Sequence, residues 1–261
     1  MKLFITAGIG SDDLYLAAER LISQVKYLNI FDDYVIVTER DLIEIAPWLY
    51  EWYSLEELKK SRGYGFYAWK AAIAKAAMDG YWGVVEVICY LDAGCEVLPG
   101  RRSRRLMLRW VRKAKTTGVV GFSSFAPEWK YTKSELLELF PHSENDVATD
   151  QFQSGTWLLS GPFGKTVADE WNLISSTKES MTNDKYEEEV PGFVAHRHDQ
   201  SVFSMVLKKH SIKPERLLTP YPKNKFLANL TAIRSPIWAT RNRSGNTVIP
   251  IYVRVLARFL P

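Results

Sequence analysis

Apolar positions fall into two spacings along this chain. Short runs rich in β-branched and aromatic residues (Lys2 to Thr6, Tyr34 to Thr38, Val84 to Leu91, Val119 to Phe122 and Phe152 to Ser160) have the length and composition of strands. Between the first two, Leu14, Ala17, Leu21, Val25 and Leu28 recur at intervals of 3, 4, 4 and 3, the period of a helix with one buried stripe. Ser11, Asp12 and Asp13 just ahead of that stripe are N-cap candidates. The opening therefore predicts strand, helix, strand, a unit whose strands pair in parallel through a right-handed crossover. Val84 to Leu91 is apolar on both alternating faces apart from Glu86, as a central strand covered on both sides would be.

The rest of the chain continues the alternation. Asp41 to Tyr53 predicts a short helix interrupted at Pro47, with Trp48 and Trp52 in packing roles. Arg62-Gly63-Tyr64-Gly65-Phe66-Tyr67-Ala68-Trp69-Lys70 leads into an alanine-rich helix ending near Met78, small enough in side chain to lie close to a sheet. A basic surface helix follows Gly100, an insertion with a short helix spans Trp129 to Phe140, and Ser143 to Asp150 reads as a loop. Pro162 at N1 opens a helix with Phe163, Val167, Trp171 and Ile174 on one side. Ser175 to Val190 is charged and reads as an exposed loop, and Asp199 opens another helix. From Leu217 to Pro261 there is little periodicity. Val248 to Leu260 suits a final strand or helix, and as a helix it places Arg254 and Arg258 together. The fold class is α/β: one domain over 1–215 with a mostly parallel central sheet flanked by helices, and an irregular extension over 216–261 packing on that domain or on a membrane surface.

Composition narrows this. With 261 residues, 46% of them hydrophobic, the chain can bury one sizeable core. A net charge of +4 is too small to predict nucleic-acid binding. The run Arg101-Arg102-Ser103-Arg104-Arg105 suits a solvated face, acidic lipid or a charged acceptor. Cys89 and Cys95 are held too far apart by extended chain to bond, which favours a reduced, cytoplasmic setting. No signal-type apolar region and no apolar run of about 18 residues is present. Membrane association is therefore expected to be peripheral at most, at the inner face.

The chemistry gathers at strand ends. Asp92 lies just past the carboxyl end of the central strand, where ligands bind in open α/β sheets. Gly94 lets backbone approach a phosphate or metal, and Asp92 with Glu96 offers hard oxygen ligands for a divalent ion. The alternative is that Asp92 only caps a turn. Thr6-Ala7-Gly8 ends the first strand and suits a nucleoside. Gly8-x-Gly10 is not a dinucleotide fingerprint, because Asp13 stands at its third glycine position. Arg62 and Lys70 are the cations placed nearest the Asp92 strand end, where a pyrophosphate would need them. His196-x-His198 has no third partner at zinc-site spacing.

Three stretches stand in order: Tyr90-Leu91-Asp92-Ala93-Gly94-Cys95-Glu96-Val97, Phe152-Gln153-Ser154-Gly155-Thr156-Trp157-Leu158-Leu159 and Asp199-Gln200-Ser201-Val202-Phe203-Ser204. Together they resemble nucleotide-sugar glycosyltransferases of the GT-A fold, which is Rossmann-like, particularly the retaining family 8 type and its bacterial polysaccharide-biosynthesis relatives. The Gly-Tyr-Gly-Phe-Tyr-Ala-Trp-Lys segment is similar to one in some bacterial members. The resemblance covers about residues 1 to 210. It implies transfer of a hexose from a nucleoside-diphosphate sugar, a UDP-sugar above all, to a glycan or lipid-linked acceptor in surface polysaccharide or glycan biosynthesis. It further implies Thr6, Ala7, Gly8, Arg62, Lys70, Asp92, Ala93, Gly94, Ser154 and Gly155 at the donor, and Gln153, Asp199 and Gln200 in catalysis. Mn²⁺ or Mg²⁺ would be held by Asp92. The family's second Asp falls on Gly94, leaving Glu96 or a water to complete the coordination. The family's late His ligand has no counterpart, and Arg234, Arg241 or Arg243 would neutralise the departing diphosphate instead. The rival readings are a nucleotidyltransferase, disfavoured by Asp12 and Asp13 in the first turn, and a non-catalytic nucleotide-sugar-binding protein, suggested by Gly94.

Overall fold

The computed structural model describes residues 1–140, 144–182, 189–216 and 233–260, with backbone alone for 144 and 145. Five strands form the main sheet: β1 (Lys2–Ala7), β2 (Asp33–Val37), β3 (Val87–Leu91), β5 (Val119–Pro127) and β6 (Asp150–Ser160). Two short strands, β4 (Glu96–Val97) and β7 (Ile237–Trp238), pair separately. The order across the main sheet is β2-β1-β3-β6-β5. β1 is parallel to β2 and β3, while β6 runs antiparallel to both β3 and β5, so one reversed strand sits in an otherwise parallel sheet. This is the expected α/β class, a mostly parallel central sheet flanked by helices.

Alternation along the strands builds two cores. Leu3, Ile5, Ile88, Tyr90, Trp157 and Leu159 face helices Trp69–Met78, Gly161–Ser175 and Asp199–Lys209. Phe4, Val87, Cys89, Leu91 and Leu158 face helices Asp12–Lys26 and Arg101–Thr117 on the other side. All five residues of β3 are buried, which is why its sequence is apolar at every position. In the first helix Ser11 accepts from the Leu14 N–H as N-cap, and Ala17, Leu21 and Val25 form the buried stripe.

Some boundaries differ from expectation. β3 begins at Val87, because Val84 lies exposed beyond the Gly80–Gly83 turn and Glu86 pairs with Lys115 at the rim. Part of the expected loop Ser143 to Asp150 is the helix Glu144–Ala148, and residues 141–143 lie outside the described residues. In the expected loop Ser175 to Val190, Lys178–Met181 forms a helical turn with Met181 buried; residues 183–188 lie outside the description. Of the C-terminal stretch, residues 217–232 and 261 are likewise outside it. Residues 233–260 pack on the body through the β4–β7 pair and through helix Ile251–Phe259. Both cysteines are buried free thiols.

Candidate functional site

Asp92 follows β3 directly, and its backbone is fixed before its side chain is considered. Its N–H donates to the Gly155 carbonyl at 2.9 Å, and its own carbonyl accepts from the Cys95 N–H at 2.8 Å. Gly155 permits this approach: a Cβ there would overlap Asp92 Oδ2 and stand 3.1 Å from Cγ. The Asp92 carboxylate is about two-fifths exposed, so it opens to the crevice. Behind it Tyr90, buried in the sheet, donates its hydroxyl to Oδ1 at 2.9 Å. Burial, reinforced by Asp92, holds that phenol well above its usual pKa, so it remains a neutral donor.

Lys70 is the centre of the cluster. Its ammonium lies 2.9 Å from Asp92 Oδ1, 3.2 Å from Asp92 Oδ2 and 3.2 Å from Asp199 Oδ2, with its side chain only 4% exposed. Burial by itself would lower its pKa, but Asp199 and then Asp92 outweigh this and raise it, so the group stays charged. Asp199 is the closed partner. Burial raises its carboxyl above the usual range against the pull of Lys70 and of Ser154, whose hydroxyl donates to Oδ2 at 2.5 Å. One buried cation is thus held between an open and a closed carboxylate, a network in which each member depends on the others.

The loop before Lys70 is unusual. Gly63, Tyr64, Gly65, Phe66 and Tyr67 all have φ between 54° and 85°, a consecutive left-handed turn. The three non-glycine residues together cost roughly 3–6 kcal/mol. The turn is held by the Phe66 N–H on the Arg62 carbonyl, the Gly65 N–H on Ser61 Oγ and the Trp69 indole N–H on the Gly63 carbonyl. It sets the Phe66 ring 4.6 Å from that of His198 and the Tyr67 ring 4.9 Å from the Lys70 ammonium. Strain of this kind concentrates at functional sites, and His198, next to Asp199, also has a positive φ of 49°.

Thr6, Ala7 and Gly8 lie where expected, at the carboxyl end of β1. A cleft of about 290 Å³ adjoins them, lined by Gly8, Gly10, Ser11, Tyr15, Thr38 and Glu39 among others. None of Lys70, Asp92, Ser154 or Asp199 lines it, and its charged lining residues, Asp12 and Glu39, are acidic. Arg62 stands exposed at the start of the left-handed turn. Arg197, two residues before Asp199, stacks over the Tyr131 ring at 3.6 Å. Burial lowers its pKa against the pull of Tyr131, and the nearby charges of Arg241 and Arg62 lower it further. Of the three late arginines considered, Arg241 is the one at the Asp92 turn, where its Cα stands 3.2 Å from the position of a Gly94 Cβ.

Other expectations are corrected. Glu96, expected to complete a metal site with Asp92, has its carboxylate already satisfied by protein donors. Its carboxylate is fully buried and accepts from Thr240, Asn242, Thr247, Val248 and Ile249. Burial would raise its pKa, yet those donors and Arg20 hold it below the usual range. Arg20, which the sequence did not single out, is buried beside it and donates to the carbonyls of Ala93, Cys95 and Ser244 at 2.7, 3.0 and 2.6 Å. Together they strap residues 240–249 onto the Asp92 turn. Gln153 and Gln200 do not join the Lys70 cluster. The Gln153 amide is bound to the Ser123 carbonyl at 2.7 Å, and the Gln200 amide to Gln151 Oε1 at 2.8 Å. Gln151 in turn donates to Glu128 and Thr132 in a buried structural network.

A divalent ion fits these residues poorly. Asp92 is paired with Lys70 and Tyr90, Glu96 is saturated, and position 94 is glycine because the chain at Arg241 and Asn242 passes over it. Among the described residues no three acidic, His or Cys side chains gather where a metal could be held. His196 and His198 instead hydrogen-bond the carbonyls of Ser180 and Met181 at 2.9 and 2.7 Å.

No protein-family model matches the chain, and no curated protein matches it. Among solved structures it is similar to mouse xyloside xylosyltransferase 1 in its apo form. That match has a TM-score of 0.44 and 13% sequence identity, and it covers 96% of this chain and 100% of the other.

Proposed function

We propose that the chain is a glycosyltransferase moving a hexose from a nucleoside-diphosphate sugar, a UDP-sugar in particular, to a hydroxyl of a glycan or lipid-linked acceptor. The observation that carries this reading is the Lys70 clamp. A buried ammonium at the carboxyl end of a central strand is aimed at a half-open carboxylate, and a separate cleft opens at the carboxyl end of the neighbouring strand β1. Two stretches far apart in sequence, Ser154-Gly155 and Asp199, meet Asp92 there, in the order that the sequence resemblance implies.

In the reaction the bond from the anomeric carbon to the diphosphate oxygen breaks, the acceptor oxygen bonds that carbon, and the acceptor proton passes to solvent or to the leaving group. Negative charge grows on the diphosphate. In this reading the cations offered to it are Lys70 and the guanidinium groups of Arg62, Arg197 and Arg241. Asp92 accepts hydroxyls of the ribose or sugar, and Asp199 with Ser154 keeps Lys70 aimed. Because the described residues fit a divalent ion poorly, no step of this reading is routed through one. Hexose transfer and retention of configuration rest on the sequence resemblance alone.

A panel of UDP- and GDP-sugars, tested in EDTA and in Mn²⁺, checks the proposal. Release of nucleoside diphosphate and calorimetric binding are both measured. The expected result is binding and slow hydrolysis of one donor class under both conditions. Binding without turnover, even with candidate acceptors, would convert the reading to a sugar-nucleotide-binding protein. No binding at all would end it.

A further inference from the structure

Helix Ile251–Phe259 buries Val253 and Ala257 against Leu98, Ile233, Trp238 and Ile249. Its other apolar residues point outward. Ile251 is 70% and Phe259 80% exposed, and Tyr252, Val255 and Leu256 are exposed between them. At about 100° per residue these five fill a continuous arc of roughly 140°, with Arg254 and Arg258 along one border. The helix lies across the start of Arg101–Thr117: a Cβ at Gly100 would run into the Ala257 carbonyl and stand 3.0 Å from the Arg258 Cα. That first turn carries Arg101, Arg102, Arg104 and Arg105. Neither helix contains an Asp or Glu.

We propose that this face docks on an anionic lipid bilayer, with the Ile251–Phe259 arc in the acyl boundary and the Arg101–Arg105 turn among the headgroups. An outward apolar arc next to a basic turn without a single carboxylate is the pattern of an interfacial helix. A protein partner of mixed charge would not call for it. Among the described residues no helix is long and apolar enough to cross a membrane, so contact is in the surface plane. The position ties the face to the site. Gly100 follows β4 almost directly, and Ile251 comes ten residues after Arg241 at the Asp92 turn. Resting on the proposed transferase reading, this docking keeps the chain that carries the Asp92 turn near acceptors anchored in the bilayer.

Flotation of the full chain with vesicles tests the proposal, using phosphatidylcholine alone and with roughly a third phosphatidylglycerol. The chain is expected to float with the anionic vesicles and stay down with neutral ones. The Ile251→Ser/Phe259→Ser double variant is expected to partition about tenfold or more weakly, and Arg101→Ser/Arg105→Ser to lose the preference for anionic lipid. Both replace exposed residues outside the catalytic cluster, and unchanged thermal unfolding confirms that they fold. Absence of flotation, or equal flotation of the Ile251/Phe259 variant, overturns the proposal. So does light scattering that shows a dimer dissociated by that variant, since a second copy would then cover the face. Donor binding is measured separately, so loss of the transferase reading leaves this result standing.

Discussion

Replacing Lys70 with Met removes the cation between Asp92 and Asp199 while keeping most of the side-chain volume. The two carboxylates do not respond alike. Asp92 has a side chain about two-fifths exposed and is resolvated, whereas Asp199, 6% exposed, is left buried with only Ser154 as donor. Breaking a buried pair from one side costs about 3–5 kcal/mol. For a chain of this length that corresponds to a fall in Tm of roughly 6–10 °C. The deficit depends on pH in a stated direction. Without Lys70 the already raised Asp199 carboxyl rises further, so its charged form becomes costlier in the fold, and lowering the pH relieves that cost by protonating it. The difference between parent and variant therefore shrinks as pH falls. Adding Asp199→Asn removes the stranded charge, and the double variant is expected to be more stable than the sum of the two single losses by about 2 kcal/mol or more. Donor turnover stays lost in all three. Thermal and urea unfolding of the four proteins measures the cycle, and strictly additive losses, or a deficit independent of pH, would refute the clamp.

Two further outcomes follow from the same geometry. Gly155→Ala places a methyl on Asp92 Oδ2 and must turn that carboxylate away, so donor turnover is expected to fall about 100-fold while unfolding shows a largely intact fold; unchanged turnover would show that Asp92 is not used. Burial lowers the pKa of His196 to about 3 and of His198 to about 4, so both are neutral in the fold but protonate near pH 6.5 when unfolded. Their contribution is complete above pH 6.5 and is lost as pH falls from there toward 4, about 4 kcal/mol by pH 5. His196→Gln should remove roughly half of that acid sensitivity in a denaturation series, and an unchanged slope would contradict the burial argument.

The sheet was legible because its strands are covered on both sides or alternate cleanly. β3 in particular has no polar position to confuse its reading, and Asp92 follows at once. Lys70 could be guessed from topology, and Ser154 and Asp199 from the order of short motifs. The roles of Gln153, Gln200 and Glu96 were not legible, since each depends on where a side chain points once distant segments arrive. Glu96 takes its donors from residues 144 to 153 positions away. Nothing local marks it as a structural anion rather than a ligand. Arg20 lies among buried helix positions of the first helix, where periodicity expects an apolar residue, and that mismatch is the one signal that would have flagged it. Gly94 in place of a carboxylate makes sense only once the Arg241 backbone is seen lying against it.

The strap also sets a timetable for synthesis. The ribosome delivers Asp92, Lys70 and Asp199 well before residues 240–249, and until these last arrive Arg20 and Glu96 have neither their carbonyls nor their donors. The nascent polypeptide can therefore assemble its sheet early yet hold an unfinished turn at the carboxyl rim. The turn behind Asp92 gains its last hydrogen bonds only when the late segment has come home.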